Sequence, residues 1–190
     1  ASVGWFSIRY VFWLMGACAF VLQLILQVSS GVIATYLDQE FSLGPLYGSI
    51  LVSSIFYLHI LMQIPAGVIL ERYGPRRVLG VGGVISCIGA YFFSISGTFE
   101  MALLSRVFMG SGLSCAFIAL AAIVGRWFPI YQFAMMIALA EMVGLFVAAV
   151  SEQLLPGFFI NNSWRTFYQY TGLSALVLAL LVWVFMPDHD

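Results

Sequence analysis

Long apolar runs, repeated six times along 190 residues, constrain this chain more than any other feature. They lie near residues 10–37, 46–70, 78–96, 101–125, 133–155 and 166–186. A bilayer core about 30 Å thick takes about 20 apolar residues as α-helix. Backbone polar groups find no water in lipid, so each run is expected to be a transmembrane helix. Strands of a membrane barrel would be about 10 residues long and alternate in polarity; these runs do neither. Hydrophobic residues make up 63% of the chain and charged ones 8%, against about 25% charged in a soluble domain. A folded domain of this size still exposes about a third of its unfolded surface, so a water-soluble globule is excluded. Seven arginines against eight acids give a net charge of −1, which implies no nucleic-acid partner. The reading is an all-α polytopic membrane protein with six spans.

The breaks carry turn chemistry: Asp38 to Pro45, Glu71 to Arg77, Gly97 to Glu100, Arg126 to Pro129 and Pro156 to Ser163. With a cytoplasmic N-terminus, Arg9, Arg72, Arg76, Arg77 and Arg126 lie inside and Arg165 outside, as the positive-inside rule requires. Six spans then return the C-terminus to the cytoplasm. The expected location is a bacterial inner membrane. Cys18, Cys87 and Cys115 sit in apolar runs and are expected to be small buried hydrophobes. Metal or redox chemistry would need clustered Cys or His; no cofactor or metal is expected.

Charges at membrane depth cost several kcal/mol and normally face a cavity or a partner. Glu141, eight residues into the fifth run, lies about 12 Å from the cytoplasmic end. A buried carboxyl can take a proton reversibly, so Glu141 is a proton-coupling candidate. His59, in the second run, is another, because imidazole titrates near neutrality. Arg106, about 7 Å in from the outer end of the fourth run, can hold a carboxylate or phosphate bidentately. It could alternatively pair with Glu141. Gln23 and Gln27 share a helix face, with Tyr36 nearly in line.

The second connection reads Gly67, then Glu71-Arg72, then Gly74, Pro75, Arg76 and Arg77. Gly67 permits close helix approach, and Gly74 can take the positive φ of a tight turn. This loop resembles the signature between the second and third helices of the major facilitator superfamily, Gly-x-Leu-x-Asp-Arg-x-Gly-Arg-Arg. Glu71 stands where Asp is usual and Pro75 where a base is usual. Gln63 to Gly67 is similar to the family's second-helix end. Arg106, Gly110 and Gly112 resemble its fourth-helix motif, with Met109 in place of a common Gln, and Trp164-Arg165 resembles the pair before the sixth helix. The Gly-Pro-rich fifth-helix motif of drug/proton antiporters is missing from Ala140 to Gly144, which argues for an uptake symporter or facilitator.

The resemblance covers the whole chain but half the family fold: two six-helix bundles related by an axis along the membrane normal. It implies that residues 1–190 form the N-terminal bundle, partnered by a second six-helix bundle, either a C-terminal half or a second copy. It implies a secondary transporter working by alternating access on a small polar or anionic solute, with proton-coupled symport. Gly67, Glu71, Arg72, Gly74, Arg76 and Arg77 would form the cytoplasmic gate. Arg106, Gln23, Gln27 and Tyr36 would line the substrate cavity, the glutamines serving equally well as interhelical hydrogen-bond partners. The runner-up is a non-transporting receptor or assembly half-bundle. An intramembrane serine protease is disfavoured: Ser114, in a Gly-x-Ser-like setting, would need a His base on a later helix, and residues 115–186 contain none.

Overall fold

The computed structural model describes residues 2–42 and 44–187, with side chains for 8–42, 44 and 46–187. Asp188 to Asp190, the end of the expected cytoplasmic C-terminus, lie outside the described residues. The described chain is seven helices and no strand: α1 (Ser2–Val32), α2 (Ala34–Phe41), α3 (Gly44–Ser94), α4 (Phe99–Leu113), α5 (Cys115–Trp127), α6 (Ile130–Asn161) and α7 (Trp164–Phe185). Five stretches are long and apolar enough to cross a membrane: Ile8–Val32, Leu46–Ser94, Phe99–Trp127, Ile130–Asn161 and Trp164–Phe185.

The helices outrun the expected boundaries. The loop expected between the second and third runs shrinks to one residue. Gly74, at φ 77° and ψ 164°, interrupts α3 and leaves two arms, 44–73 and 75–94. An L side chain at that φ is strained, which is why glycine stands there. The first run breaks at Ile33, after Ser29 and Ser30 turn their hydroxyls back onto the Leu26 carbonyl at 2.9 and 3.1 Å. Such back-bonding competes with the backbone ladder and bends helices. The fourth run breaks at Ser114, beside Gly110, Gly112 and a Ser111 hydroxyl bonded to the Phe108 carbonyl, a Gly/Ser kink. Pro156, read as a loop opener, lies within α6. Thr98 Oγ1 accepts from the Met101 N–H and Ser163 Oγ from the Arg165 N–H, both at 3.3 Å, capping α4 and α7.

Glycines set the packing of the second arm of α3. A Cβ on Gly112 would stand 2.4 Å from the Gly82 carbonyl oxygen, and one on Gly89 2.6 Å from the Met109 nitrogen. These backbones touch, so nothing larger fits. On the opposite side Gly83 meets Ala179 of α7 and Gly172 meets Ala90. α6 lies on α1 through a small-residue stripe of Met136, Ala140, Gly144 and Ala148, with Gly144 against Phe20 and Leu24. Trp13 Nε1 donates to the Met136 carbonyl at 3.1 Å.

The first arm of α3 differs. Tyr57, Ile60, Leu61, Ile64 and Val68 are exposed, and no described element covers them. Met142, Leu145, Phe146 and Leu154 of α6 are exposed as well. Cys18 is exposed, while Cys87 and Cys115 are half-buried; the expected burial of all three is corrected at Cys18, which borders an apolar groove between α1, α6 and α7. Phe93 is fully enclosed, and Phe159 is buried against Tyr36.

Candidate functional site

Three polar centres lie along the bundle. The first occupies the end where α3 breaks. Glu71, Arg72, Gly74, Arg76, Arg77, Arg126 and Trp127 line a pocket of about 140 Å3. Arg76 Nε and Nη2 donate to the Trp183 carbonyl at 3.1 and 2.5 Å. This places a cation at the C-terminal end of α7, where the helix dipole favours it. Arg126 Nη1 approaches within 3.7 Å of where a Gly74 side chain would begin. Arg72 stacks on Tyr73, 5.4 Å from the ring centre. Arg9 lies over Phe128 at 5.3 Å, just past the end of α5. Glu71 is exposed and forms no ion pair among the described residues. Gly67 has open space beside it rather than a neighbouring helix, so its expected close-approach role has no partner here.

The second centre is Arg106. A place beside an open cavity is expected; the residue is instead fully enclosed, with 0% exposure. Nη1 donates to Ser30 Oγ at 2.6 Å, while Nε and Nη2 have no hydrogen-bond partner. The guanidinium lies 4.5 Å from the Phe93 ring centre and 5.8 Å from that of Tyr168. Tyr168 OH shares a 2.9 Å hydrogen bond with Ser29 Oγ. The charge is therefore met by two aromatic faces and one hydroxyl, at the break between α1 and α2. Glu141 is not among its partners. Tyr36, beyond that break, packs edge-on against Phe159 at 5.5 Å and leaves the line of the glutamines.

The third centre joins two residues that the sequence treats separately and adds a third. Gln23 Nε2 lies 3.4 Å from His59 Nε2, and Gln63 Nε2 lies 3.2 Å from the same nitrogen. Gln23 is buried at 3% exposure and Gln63 is exposed. Gln23 Oε1 and His59 Nδ1 are buried without a partner. Gln63 escaped sequence reasoning as a site residue, although its spacing from His59, four along one helix, was the available signal. Half-buried Gln27 lies one turn beyond Gln23. Glu141, also half-buried, shares a flank of α6 with Leu145 and Glu152 and makes no ion pair among the described residues. Val143 and Val147 face the apolar groove, so Glu141 points away from it.

Beside the second centre, where Trp164 packs on Phe93 and Tyr168 at 5.3 and 6.3 Å, Arg165 ties the end away from the arginine pocket together. It pairs with Glu40 Oε1 through Nη2 and donates to the Ser94 and Ser96 carbonyls at 2.7 and 2.8 Å. Trp164 Nε1 donates to Glu40 Oε2 at 2.8 Å. The sequence singles out Trp164 and Arg165 but not their partner.

The bacterial homologue of the human lysosomal transporter Spinster, solved inward-facing and unoccupied, superposes with a TM-score of 0.84 over 96% of this chain and 44% of its own. At 19% identity this likeness is one of fold. Sodium-dependent phosphate transport protein 1 of Arabidopsis thaliana is 26% identical over 179 residues, 92% of this chain and 35% of its own length. The proton myo-inositol cotransporter hmit-1.2 of Caenorhabditis elegans is 24% identical over 125 residues, 62% of this chain and 20% of its own. The chain thus spans from a fifth to about a third of the length of these curated relatives. With its apolar helices, and with a family model matching residues 15–190, this integral membrane chain belongs to the Major Facilitator Superfamily.

Proposed function

We propose that the chain is the N-terminal six-helix half of a secondary transporter that moves a small polar or anionic organic solute by alternating access, as a proton-coupled symporter. The two arms of α3 each cross the bilayer, which makes six spans from five apolar stretches. Both termini and the arginine-rich end are cytoplasmic, since Arg72, Arg76, Arg77 and Arg126 gather at one pocket. A bacterial inner membrane is the proposed location.

One observation carries the reading. Polar groups at membrane depth lie on the edges of faces that no described element covers: His59 and Gln63 beside Ile60 and Ile64, and Glu141 beside Leu145. A second bundle over those faces would enclose them in a central gap. Relatives named for sodium-dependent phosphate transport, anion transport and proton–myo-inositol cotransport support the solute class, and the last of them supports the proton as coupling ion. Gln23 and Gln27 line the gap. Arg106 and Tyr36 act on the solute through α1 and its break, since Arg106 is enclosed. We place the proton on Glu141, whose flank is open and which makes no ion pair among the described residues. The loop from Gly67 to Arg77 is the cytoplasmic gate.

The test uses the intact transporter in proteoliposomes under an imposed pH gradient, with phosphate, ascorbate and myo-inositol as probes. Glu141→Gln is expected to abolish gradient-driven accumulation and leave counterflow exchange. Undiminished accumulation by that variant rules out Glu141 as the proton carrier, and no gradient-driven uptake of any small solute by the unaltered protein rules out symport.

A further inference from the structure

We propose that Gln23 and His59 form a recognition subsite for an uncharged hydrogen-bonding group of the solute, and that Gln63 sets it by fixing the tautomer of His59. The proposal deepens the transporter reading and rests on it.

Two carboxamide nitrogens face one ring nitrogen, His59 Nε2, at 3.4 and 3.2 Å. An amide nitrogen only donates. Nε2 can face both only as an acceptor, its one lone pair shared between them, with the ring proton on Nδ1. Imidazolium would turn Nε2 into a donor facing two donors. The amides therefore hold the ring neutral and in one tautomer.

That assignment determines what remains free. His59 Nδ1–H is a buried donor without a partner, and Gln23 Oε1 is a buried acceptor without a partner. Leaving such groups unpaired is costly in a buried setting. A ligand group that offers an acceptor and a donor together relieves both. Carboxamides, ring imides and hydroxyls do this; a carboxylate offers acceptors only and would leave Oε1 facing negative charge. Gln63 is exposed at the edge of the uncovered α3 face, so the subsite borders the side from which a solute would arrive.

The experiment is 15N NMR of histidine-labelled intact transporter in nanodiscs at neutral pH, with the His59 signals assigned by their loss in His59→Phe. The expected spectrum is neutral imidazole protonated on Nδ1. Titration with acetamide is expected to shift the Nδ1 signal saturably, and Gln23→Leu is expected to weaken that response at least tenfold. Sodium acetate is expected to leave the signal unmoved. His59→Asn, whose amide nitrogen overlays Nδ1, is expected to keep neutral-solute selectivity better than His59→Gln, whose nitrogen overlays Nε2. An Nε2-protonated or cationic ring overturns the proposal, as does an equal response to acetate, or equal behaviour of the Asn and Gln variants. These readouts do not need transport: if uptake fails while the tautomer and acetamide response hold, the transporter reading is at fault and the subsite stands.

Discussion

The two arms of α3 belong to one nearly continuous helix and have opposite fates. The arm over 75–94 is packed on glycines, with backbone close to backbone at Gly82 and Gly112 and at Gly89 and Met109. The arm over 44–73 turns Tyr57, Ile60, Leu61, Ile64 and Val68 outward, Ile64 at 80% exposure. In lipid the hydrophobic effect does not drive helices together, so close packing of small residues does. Small residues therefore mark contacts inside this bundle, and the bulky open face marks a surface kept for lipid or another bundle. The polar Gln23–His59–Gln63 centre lies at the border between the two.

The contrast can be broken at four places. The largest effect is expected at Gly112→Val. Added carbons would meet the Gly82 carbonyl and Ser86, neither of which can move away cheaply. A loss of about 3 kcal/mol or more is expected, read as a collapse of the monodisperse fraction in detergent; a normally folded variant would show that the packed arm has slack. Arg165→Ala comes next. It removes the Glu40 pair and two bonds to the carbonyls that end the packed arm. About 2 kcal/mol is expected, seen as a lower thermal midpoint, with Glu40→Gln losing less because the carbonyl bonds survive. Gly74→Ala should cost about 1 kcal/mol from its positive φ, and an unchanged midpoint would mean that the junction between the arms relaxes. The smallest effect belongs to Ile64→Ser. Bundle stability should move by less than about 0.5 kcal/mol, while association with a second bundle, measured by crosslinking in the intact protein, should weaken. A large loss of stability in the bundle alone would place Ile64 among its internal contacts.

How much of this was legible in the sequence depended on distance along the chain. The Arg72 to Arg77 segment and Arg126 read as one basic end because charge placement is local and the positive-inside rule is strong. Gly74 was legible because a single residue must supply the positive φ. The breaks at Ile33 and Ser114 were hidden inside apolar runs, where Ser and Gly change helix geometry without changing hydropathy. Glu40 and Arg165 are separated by 125 positions, and nothing local links them. Arg106 illustrates a different limit. Sequence position gives its depth but not its azimuth, and azimuth turned it toward Phe93 and Tyr168 rather than an opening. The same gap separated His59 from Gln23, since no spacing rule relates residues on two different helices.

The eight-residue α2 has a mechanical consequence. It continues from α1 past Ile33, where the Ile33 N–H to Ser29 carbonyl and Leu37 N–H to Ile33 carbonyl bonds, each 3.0 Å, carry the helical ladder through, and it is moored at its far end through Glu40 to Arg165 and Trp164. A piece about 12 Å long, joined at one end and tied at the other, links two charges that never touch. Its junction with α1 lies three residues from Ser30, the hydroxyl to which Arg106 donates, so the exposed ion pair and the enclosed guanidinium are anchored to the two ends of one short helix.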